Sequence, residues 1–259
     1  MAAYQKHTNT AVYNILRHNN REAKNPYNVD IDTERTKLNY SLTPLEHGNN
    51  LVSNKAYYNK RLSEVYHYKR NDLITCDEWI ITAPVDLPKD QEQLFFKKCY
   101  EFLNSKYNEE NCIHCSVHYD EGVKNDQGQV IHGRPHMHYM YIPVVPYTGT
   151  KNYTEKVCNK ELMTKSHLIQ FHPQLQEFLT RAGLQRCNVN SGITGVNCSV
   201  KDLKAHTLRE MIFEQSKNIE SLKEENGRLK KEIAQLQEHQ QQVKRHRFGE
   251  FEREDEYEF

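Results

Sequence analysis

The stretch 112–145 constrains this chain more than any other. Residues 112–118, Cys-Ile-His-Cys-Ser-Val-His, and residues 136–142, His-Met-His-Tyr-Met-Tyr-Ile, have the composition of strands. Between them lies the turn-forming run Gly122-Val-Lys-Asn-Asp-Gln-Gly128. This order predicts a hairpin whose loop is longer than the tightest turns. Side chains alternate along a strand, so His136 and His138 share a face, and pairing in the right register brings His118 beside them. Three neutral imidazoles on one sheet face make a divalent-metal site with open positions. Such a site suits zinc, manganese and other borderline ions better than calcium or magnesium. A chain with 14 His contains some His-x-His pairs by chance. Here a third His, followed by Asp120 and Glu121 on an adjacent strand, favours the metal reading.

Length and composition bound the rest. The 259 residues suffice for one good core and an appendage. With 37% hydrophobic and 27% charged residues the chain is polar for a single globule, so part of it is expected to be extended or solvated. The zero net charge hides an asymmetry: residues 1–206 carry 25 Lys and Arg against 22 Asp and Glu, and the remainder 10 against 13. A weakly basic body with an acidic tail permits nucleic-acid binding without demanding it. No stretch approaches the ~20 apolar residues of a membrane span, and the opening residues lack a signal-peptide core. The seven Cys are odd in number and scattered, which points to a reducing cytoplasm rather than a disulfide framework. Cys112 and Cys115 have CxxC spacing without a second CxxC, and strand alternation is expected to turn both away from His118. They are read as reduced thiols.

Along the chain, residues 8–24 read as a helix with Ala11, Val12, Ile15 and Leu16 as its apolar stripe. Near its end His18 and Arg21 stand three apart, on one helix face. The plainer role for such a pair is to complement the helix dipole. Residues 38–42 alternate like a short strand. Residues 52–70 read as a helix in which Lys55, Lys60, Arg61, Lys69 and Arg70 interleave with Tyr57, Tyr58, Tyr66 and Tyr68. Cations beside aromatic rings suit a single-stranded nucleic acid; equally, the Tyr rings can simply pack. Residues 77–82 form a strand stopped by Pro84, and residues 89–107 a helix facing the core with Leu94, Phe95, Phe102 and Leu103. Residues 159–183 look helical at the start and again from Pro173 to Ala182, with Gly183 as the stop. The Gly, Asn and Ser-rich run 187–200 reads as an edge or linker.

From His206 the pattern becomes heptad. Leu208, Ile212, Ile219, Leu222, Leu229, Ile233, Leu236 and Val243 fall on a seven-residue repeat; Ile212, Ile219 and Ile233 take one core position and Leu222, Leu229 and Leu236 the other, a choice that favours a parallel two-stranded coiled coil. Asn226 occupies the Ile position in the middle, where it fixes register. Glu225 and Lys230 sit where an interchain pair of opposite charge would form. The alternative is a long helix packed back on the body. The expected division is a catalytic body over 1–200, a coiled-coil helix over 206–246 and an acidic, disordered tail over 247–259.

The order of these segments resembles one family. His18-Asn-Asn-Arg21, Leu38-Asn39-Tyr40-Ser-Leu42, Cys76-Asp-Glu-Trp-Ile-Ile-Thr82, His118-Tyr-Asp-Glu121 and Pro135-His-Met-His138 are similar to the MobV, or Pre/Mob, plasmid relaxases, over roughly residues 10–185. The metal segment and the His-x-x-Arg segment are the most specific parts. The resemblance implies the α+β fold of the wider HUH endonucleases, a central antiparallel sheet flanked by helices. It also implies their activity: nicking one strand at an origin of transfer, staying joined to the 5′ end, and later reversing or repeating the transesterification. Plasmid DNA, single-stranded or supercoiled, is then the substrate. A homodimer through the coiled coil and conjugation coupling proteins are the further partners, in the cytoplasm, with no stable membrane insertion.

In that frame His118, His136 and His138 hold the ion, manganese by resemblance, with magnesium the alternative. The ion polarises and orients the scissile phosphate. A covalent intermediate conserves the bond energy, which accords with the absence of a GxxxxGK phosphate loop. Most relaxases use Tyr as nucleophile; this group implies a His, carried over to His18. Arg21 holds the phosphate or the transition-state charge. Glu121 is the general base for His18, and Asp120 orients a metal-bound His. Asn39 and Tyr40 are candidates for positioning the site or the DNA.

The chain departs from the family in two places. Ser41 stands where an acid usually follows Asn-Tyr, and residues 122–134 intervene where relatives have only a few. Such a loop can project without disturbing the sheet, since closure cost grows slowly with length. It carries Lys124, His132 and Arg134 as possible DNA contacts. The chain also ends sooner than many relatives, so accessory C-terminal functions are expected to be missing. Two competitors remain. A rolling-circle replication initiator would need a Tyr on a helix after the metal strand, for which Tyr153 is the candidate. A dimeric DNA-binding protein with a vestigial site would need no nucleophile at all.

Overall fold

In the computed structural model residues 2–23, 31–124, 130–184, 187–189, 212–213 and 215–237 are described. The chain divides into two units, Met1–Ile193 and Thr194–Phe259.

The first unit is α+β. Its strands are β1 (Ala2–Thr8), β2 (Tyr40–Ser41), β3 (Ile74–Thr82), β4 (Cys112–His118), β5 (Gly122–Lys124), β6 (Val130–His132), β7 (His136–Tyr141), β8 (Val144–Pro146) and β9 (Glu155–Val157). Its helices are α1 (Asn9–Asn19), α2 (Leu51–Glu64), α3 (Glu92–Tyr107), α4 (Asn159–Leu162) and α5 (Lys165–Arg181). Five strands form one sheet in the order β1-β3-β7-β4-β2, with every neighbouring pair antiparallel.

The alternation of β7 divides the sheet into two chemistries. Met137, Tyr139 and Tyr141 join Trp79, Ile81, Cys115 and Val117 in a core against α3 and α5, supplied by Phe95, Phe96, Phe102, Phe171 and Leu175. Trp79 stacks on Phe171 with ring centroids 3.6 Å apart, an aromatic seam worth about 1 kcal/mol beyond its buried area. The opposite face packs Met140 and Cys76 under Val12 and Leu16 of α1 and Tyr58 and Leu62 of α2. The histidines lie on this second face. Cys112 and Cys115 both sit in the first core as free buried thiols. The expectation that alternation alone turns both away from His118 is corrected: Cys112 and His118 would share a face in a regular strand, and the irregularity between Cys112 and His114 is what turns Cys112 into this core beside Cys115.

Several expected boundaries shift. β1 adds an edge strand where the sequence reading began with a helix. Its mix of Gln, Lys and His carries no clean period-2 signal, because one side of an edge strand faces water. α1 ends at Asn19 and not at 24. Arg21 follows in the left-handed region at φ 58°, and the amides of Arg21 and Glu22 bond the carbonyls of His18 and Arg17. This is a Schellman cap with Arg where Gly is usual. α5 ends in the same motif with Gly183 at φ 90°, as expected. The helical start expected near 159 is the short α4, and the second helix begins at Lys165, ahead of Pro173, and runs unbroken through it.

α2 stops at Glu64, so Tyr66 and Tyr68 lie on an extended segment. Three of the Tyr rings are spent on packing: Tyr58 is wholly buried, Tyr57 stacks on His47, and Tyr66 stacks on Tyr147 beside the β8–β9 ribbon, whereas Tyr68, edge-on to Tyr66, is exposed. The long hairpin loop forms a ribbon of its own, β5 paired with β6, rooted where the Gly133 amide donates to the Glu121 carbonyl at 2.8 Å. A side chain at Gly133 would press that same carbonyl at 3.2 Å. The contacts expected of Lys124 and His132 lie outside the described side chains. Arg134 is described, and its guanidinium donates to the Ala83 carbonyl at 3.2 Å.

In the second unit residues 212–213 and 215–237 are helical, and Ile219, Leu222, Leu229, Ile233 and Leu236 are all exposed. Leu208, Val243, the rest of 238–246 and the acidic tail lie outside the described residues. Among the described residues no helix is long and apolar enough to cross a membrane.

Candidate metal centre and active site

β4 and β7 pair so that His118 stands directly opposite His136 and Ser116 opposite His138. The three imidazoles therefore share the face beneath α1. Ring centroids are 5.6 Å apart for His118 and His136, 4.8 Å for His118 and His138, and 5.0 Å for His136 and His138. Glu121, just beyond the end of β4, closes the group: one ligand atom from each of these four residues lies within 4.8 Å of the others.

Each ring is held by one nitrogen from behind. The His118 Nε2–H donates to the Asn19 carbonyl at 2.9 Å, with Ser116 Oγ 3.0 Å away. The His138 Nδ1–H donates to Glu78 Oε1 at 2.8 Å, and His136 Nδ1 lies 3.3 Å from the Arg134 carbonyl. The opposite nitrogens converge. His118 Nδ1 and His138 Nε2 are buried without a hydrogen-bond partner, and His136 Nε2 lies 3.4 Å from Glu121 Oε2. Two orphaned lone pairs cost about 1–3 kcal/mol each, and a Lewis acid between them removes that cost. Burial pushes His118 well down, helped by His138 and Arg21, and burial likewise lowers His138. Neutral imidazole is the form that ligates. The donor set fits a divalent cation.

The second half of the site comes from the end of α1. His18, about a third exposed, places Nε2 3.4 Å from Glu121 Oε1, and its ring centroid is 6.4 Å from that of His138. Arg21 reaches inward from its left-handed position. Nη2 donates to Glu121 Oε1 at 2.8 Å, and Nη1 donates to the His18 carbonyl at 3.1 Å. Burial opposes ionisation of Glu121, but hydrogen bonds from His136 and His18 hold its carboxyl below the usual range. Glu121 thus faces both ways, Oε1 to His18 and Arg21, Oε2 to His136.

Asp120 is wholly buried, and its carboxylate accepts from Arg21 twice, from Thr36 at 2.9 Å and from Asn39 at 2.7 Å. The expectation that Asp120 orients a metal-bound His is corrected: it anchors Arg21. Glu78 takes the orienting role on His138, and Asn19 does so on His118. Neither was singled out from the sequence. The available signal was a Glu inside an otherwise buried strand, since alternation puts Glu78 and Met140 on the imidazole face.

Asn39 belongs to the site through Asp120, and its Oδ1 also accepts from the Tyr119 amide at 2.8 Å. Tyr40 does not: it pairs with Val117 and packs into the core on the far face. Ser41 donates to the Cys115 carbonyl at 3.1 Å. Of the five cations expected to bind DNA, Arg61 is corrected. It is buried, donating to Asn111 and ion-paired with Glu155, Glu110 and Glu64, because the helix turns it inward. Lys55 lies over the Tyr13 ring at 4.2 Å, Arg70 pairs with Asp72, and Lys60 and Lys69 are exposed. Two tyrosines are engaged with other groups: Tyr13 donates to Asn59, and Tyr153, the candidate of the replication-initiator reading, packs against Tyr66.

Known proteins resemble this chain in sequence and in fold. The model of the plasmid recombination enzyme family, Mob_Pre, matches residues 1–198. Plasmid recombination enzyme type 1 of Staphylococcus aureus is 30% identical over 178 residues, 66% of this chain and 39% of that protein. The plasmid recombination enzyme of Lactiplantibacillus plantarum is 27% identical over 215 residues, 82% of this chain and 53% of that protein. This chain thus spans only about half, or less, of the length of these relatives. Among solved structures, the Mn-bound MobM relaxase domain with plasmid pMV158 oriT DNA superposes with a TM-score of 0.62 at 24% identity, covering 80% of this chain and 97% of that one. The antiparallel sheet with its flanking helices is therefore the fold of that domain, and by the match over residues 1–198 the chain belongs to the Mob/Pre family of plasmid recombination enzymes.

Proposed function

We propose that residues 1–200 form the nicking module of a plasmid mobilisation relaxase, a metal-dependent, site-specific single-strand endonuclease acting at an origin of transfer. The observation that carries this reading is the convergence of His18, His118 and His136 on one carboxylate, Glu121, with a His138 ring nitrogen within 4.8 Å of the same group. A phosphate seated there meets both halves of the site.

His118, His136 and His138, with Glu121 in reach, would hold a divalent ion, manganese by analogy with the Mn-bound MobM domain. Bound there, the ion supplies positive charge to the scissile phosphate. The chain's own residues do the rest. The neutral His18 imidazole forms an N–P bond as the P–O3′ bond breaks. The proton on its other nitrogen passes to Glu121 Oε1, and the departing 3′ oxygen takes up a proton from solvent. Arg21, locked onto Asp120, holds Glu121 in place and sets a fixed positive charge beside the reacting groups. The product is a phosphoramidate at the 5′ end, which a 3′ hydroxyl can attack to reseal the strand without ATP.

The heptad helix supports self-association. Its exposed Ile and Leu stripe repeats with the period of a two-stranded coil, Asn226 sets the register, and Glu225 faces Lys230 of a second copy. Plasmid DNA in the cytoplasm is the substrate, and conjugation coupling proteins are the further partners.

The test is covalent capture. The full chain is incubated with Mn2+ and a pool of single-stranded oligonucleotides drawn from candidate origins of transfer, and adducts are resolved under denaturing conditions. The wild type should form an acid-labile, base-stable adduct, the signature of a phosphoramidate. His18→Ala should lose it while still retarding the same DNA on a gel. An adduct that survives in His18→Ala assigns the nucleophile to a Tyr and sinks this mechanism.

A further inference from the structure

We propose that His7 is a positioning residue of the metal centre, acting through Glu78 on His138; the inference rests on the metal reading above. His7 lies near the end of β1, opposite Cys76 on β3, where the β1 register breaks before α1 begins. Strand alternation turns it onto the imidazole face. It is buried, as is Glu78, and its Nε2 lies 2.8 Å from Glu78 Oε2. The other oxygen, Oε1, accepts from His138 Nδ1 at 2.8 Å and from Asn19 Nδ2 at 3.0 Å. One buried carboxylate is thus bracketed by two imidazoles, one of them in the metal cluster and the other outside it.

The physical argument concerns rotation. The last torsion of a Glu side chain is broad and nearly two-fold, so a carboxylate held at one oxygen can swing its plane. Swinging moves Oε1 off the Nδ1–H axis of His138 and lets that ring tilt. A second bond at Oε2 fixes the plane, the plane fixes the ring, and the ring aims Nε2 into the cluster. His138 Nε2 is the buried nitrogen left without a partner, so its aim decides how well it can ligate. Asn19 cannot do this alone, because it bonds the same oxygen as His138. His7 is the group that holds the other one. The same segment also joins β1 to the sheet, so a purely structural role must be separated from a positioning one.

The experiment compares wild type, His7→Leu and His7→Gln as full chains, with His118→Ala as the control for the site. Mn2+ affinity is read by electron paramagnetic resonance of the free ion, and thermal unfolding is followed in EDTA. The Gln amide can donate to Oε2 from a similar position, whereas Leu leaves that oxygen buried and bare. His7→Leu is expected to bind Mn2+ about 10- to 100-fold more weakly, the range for outer partners of metal ligands, and His7→Gln to recover most of the loss. A folded His7→Leu chain that binds Mn2+ like wild type overturns the proposal. A wild type that takes up no Mn2+ overturns this proposal and the metal reading together.

If His7→Leu fails to fold, nitrogen-15 spectra of the imidazoles of the wild type decide. Addition of Zn2+ should shift His7 Nε2 in step with His138, and a His7 signal that stays still sinks the proposal.

Discussion

Arg21 and Asp120 form a two-pronged ion pair, Nε to Oδ2 at 3.0 Å and Nη2 to Oδ1 at 2.7 Å, around a carboxylate that water does not reach. Burial opposes charge on Asp120, but the Arg21 hydrogen bonds hold its carboxyl below the usual range. Removing one member of such a pair leaves the other buried and uncompensated.

Arg21→Ala should therefore destabilise the metal-free protein by about 3 kcal/mol or more in urea unfolding. Arg21→Gly loses the same guanidinium but suits φ 58°, so it should be about 1 kcal/mol more stable than the Ala variant. Equal stabilities for the two would show that the left-handed turn carries no strain.

On the far face of the sheet Asp77 is wholly buried among Tyr4, Tyr141 and Asn159. Burial pushes its carboxyl up to about 6 from 3.8, against the lowering by Asn159 and Tyr4. The folded state therefore binds the proton more tightly than the unfolded one. That stabilisation is fully present below pH 4 and is lost as pH rises through 6. Relative to Asp77→Asn, the wild type should lose about 1 kcal/mol per pH unit across that window, read from urea midpoints. Parallel pH profiles for the two chains would refute the assignment.

His114 lies on the imidazole face, buried, with both ring nitrogens lacking a partner. Burial first, then the neighbouring His138, pushes it down to about 3 from 6.5. With the folded value depressed, stability is present above pH 6.5 and drains away as pH falls toward 3. His114→Leu should gain about 1–2 kcal/mol at pH 7 and flatten the acid limb of the stability curve in EDTA. A destabilised Leu variant would mean that His114 has a polar partner in solution.

Asn226 tests the heptad helix. Asn226→Ile should tighten self-association and blur its register, so that sedimentation shows species larger than a dimer beside the dimer. A chain that sediments as a monomer with either residue would rule out the coil.

What was legible in the sequence follows from range. His118, His136 and His138 were readable because their geometry is local, two positions along one strand and one hairpin partner. The core under α3 was readable in Phe95, Phe102 and Leu103 from apolar spacing, although Leu94, expected beside them, is exposed. β1 was not, since a polar edge strand satisfies no strict period. Nor was the partner of Asp120, because Arg21 sits in a turn that no Gly or Pro announced, about 100 residues away in sequence. Arg61 was misread for a similar reason: a cation on a helix looks solvated until its acidic partners, Glu110 and Glu155 among them, are folded against it. Glu78 was quoted only as strand sequence, and its role depends on which face β3 turns to β7.

The His118 ring rests on the carbonyl of Asn19, and Asn19 is bonded directly to His18. The proposed nucleophile and the residue that seats a proposed metal ligand are thus chain neighbours at one helix end. Because that ring is carried by β4, a shift of α1 against the sheet would stretch this hydrogen bond and displace His18 together, so the bond is the datum that sets the spacing of the two halves. The ribbon grown into 122–134, the shortened β2 and the serine at 41 all lie off that datum, so the chain can vary there without detuning the distance on which chemistry would depend.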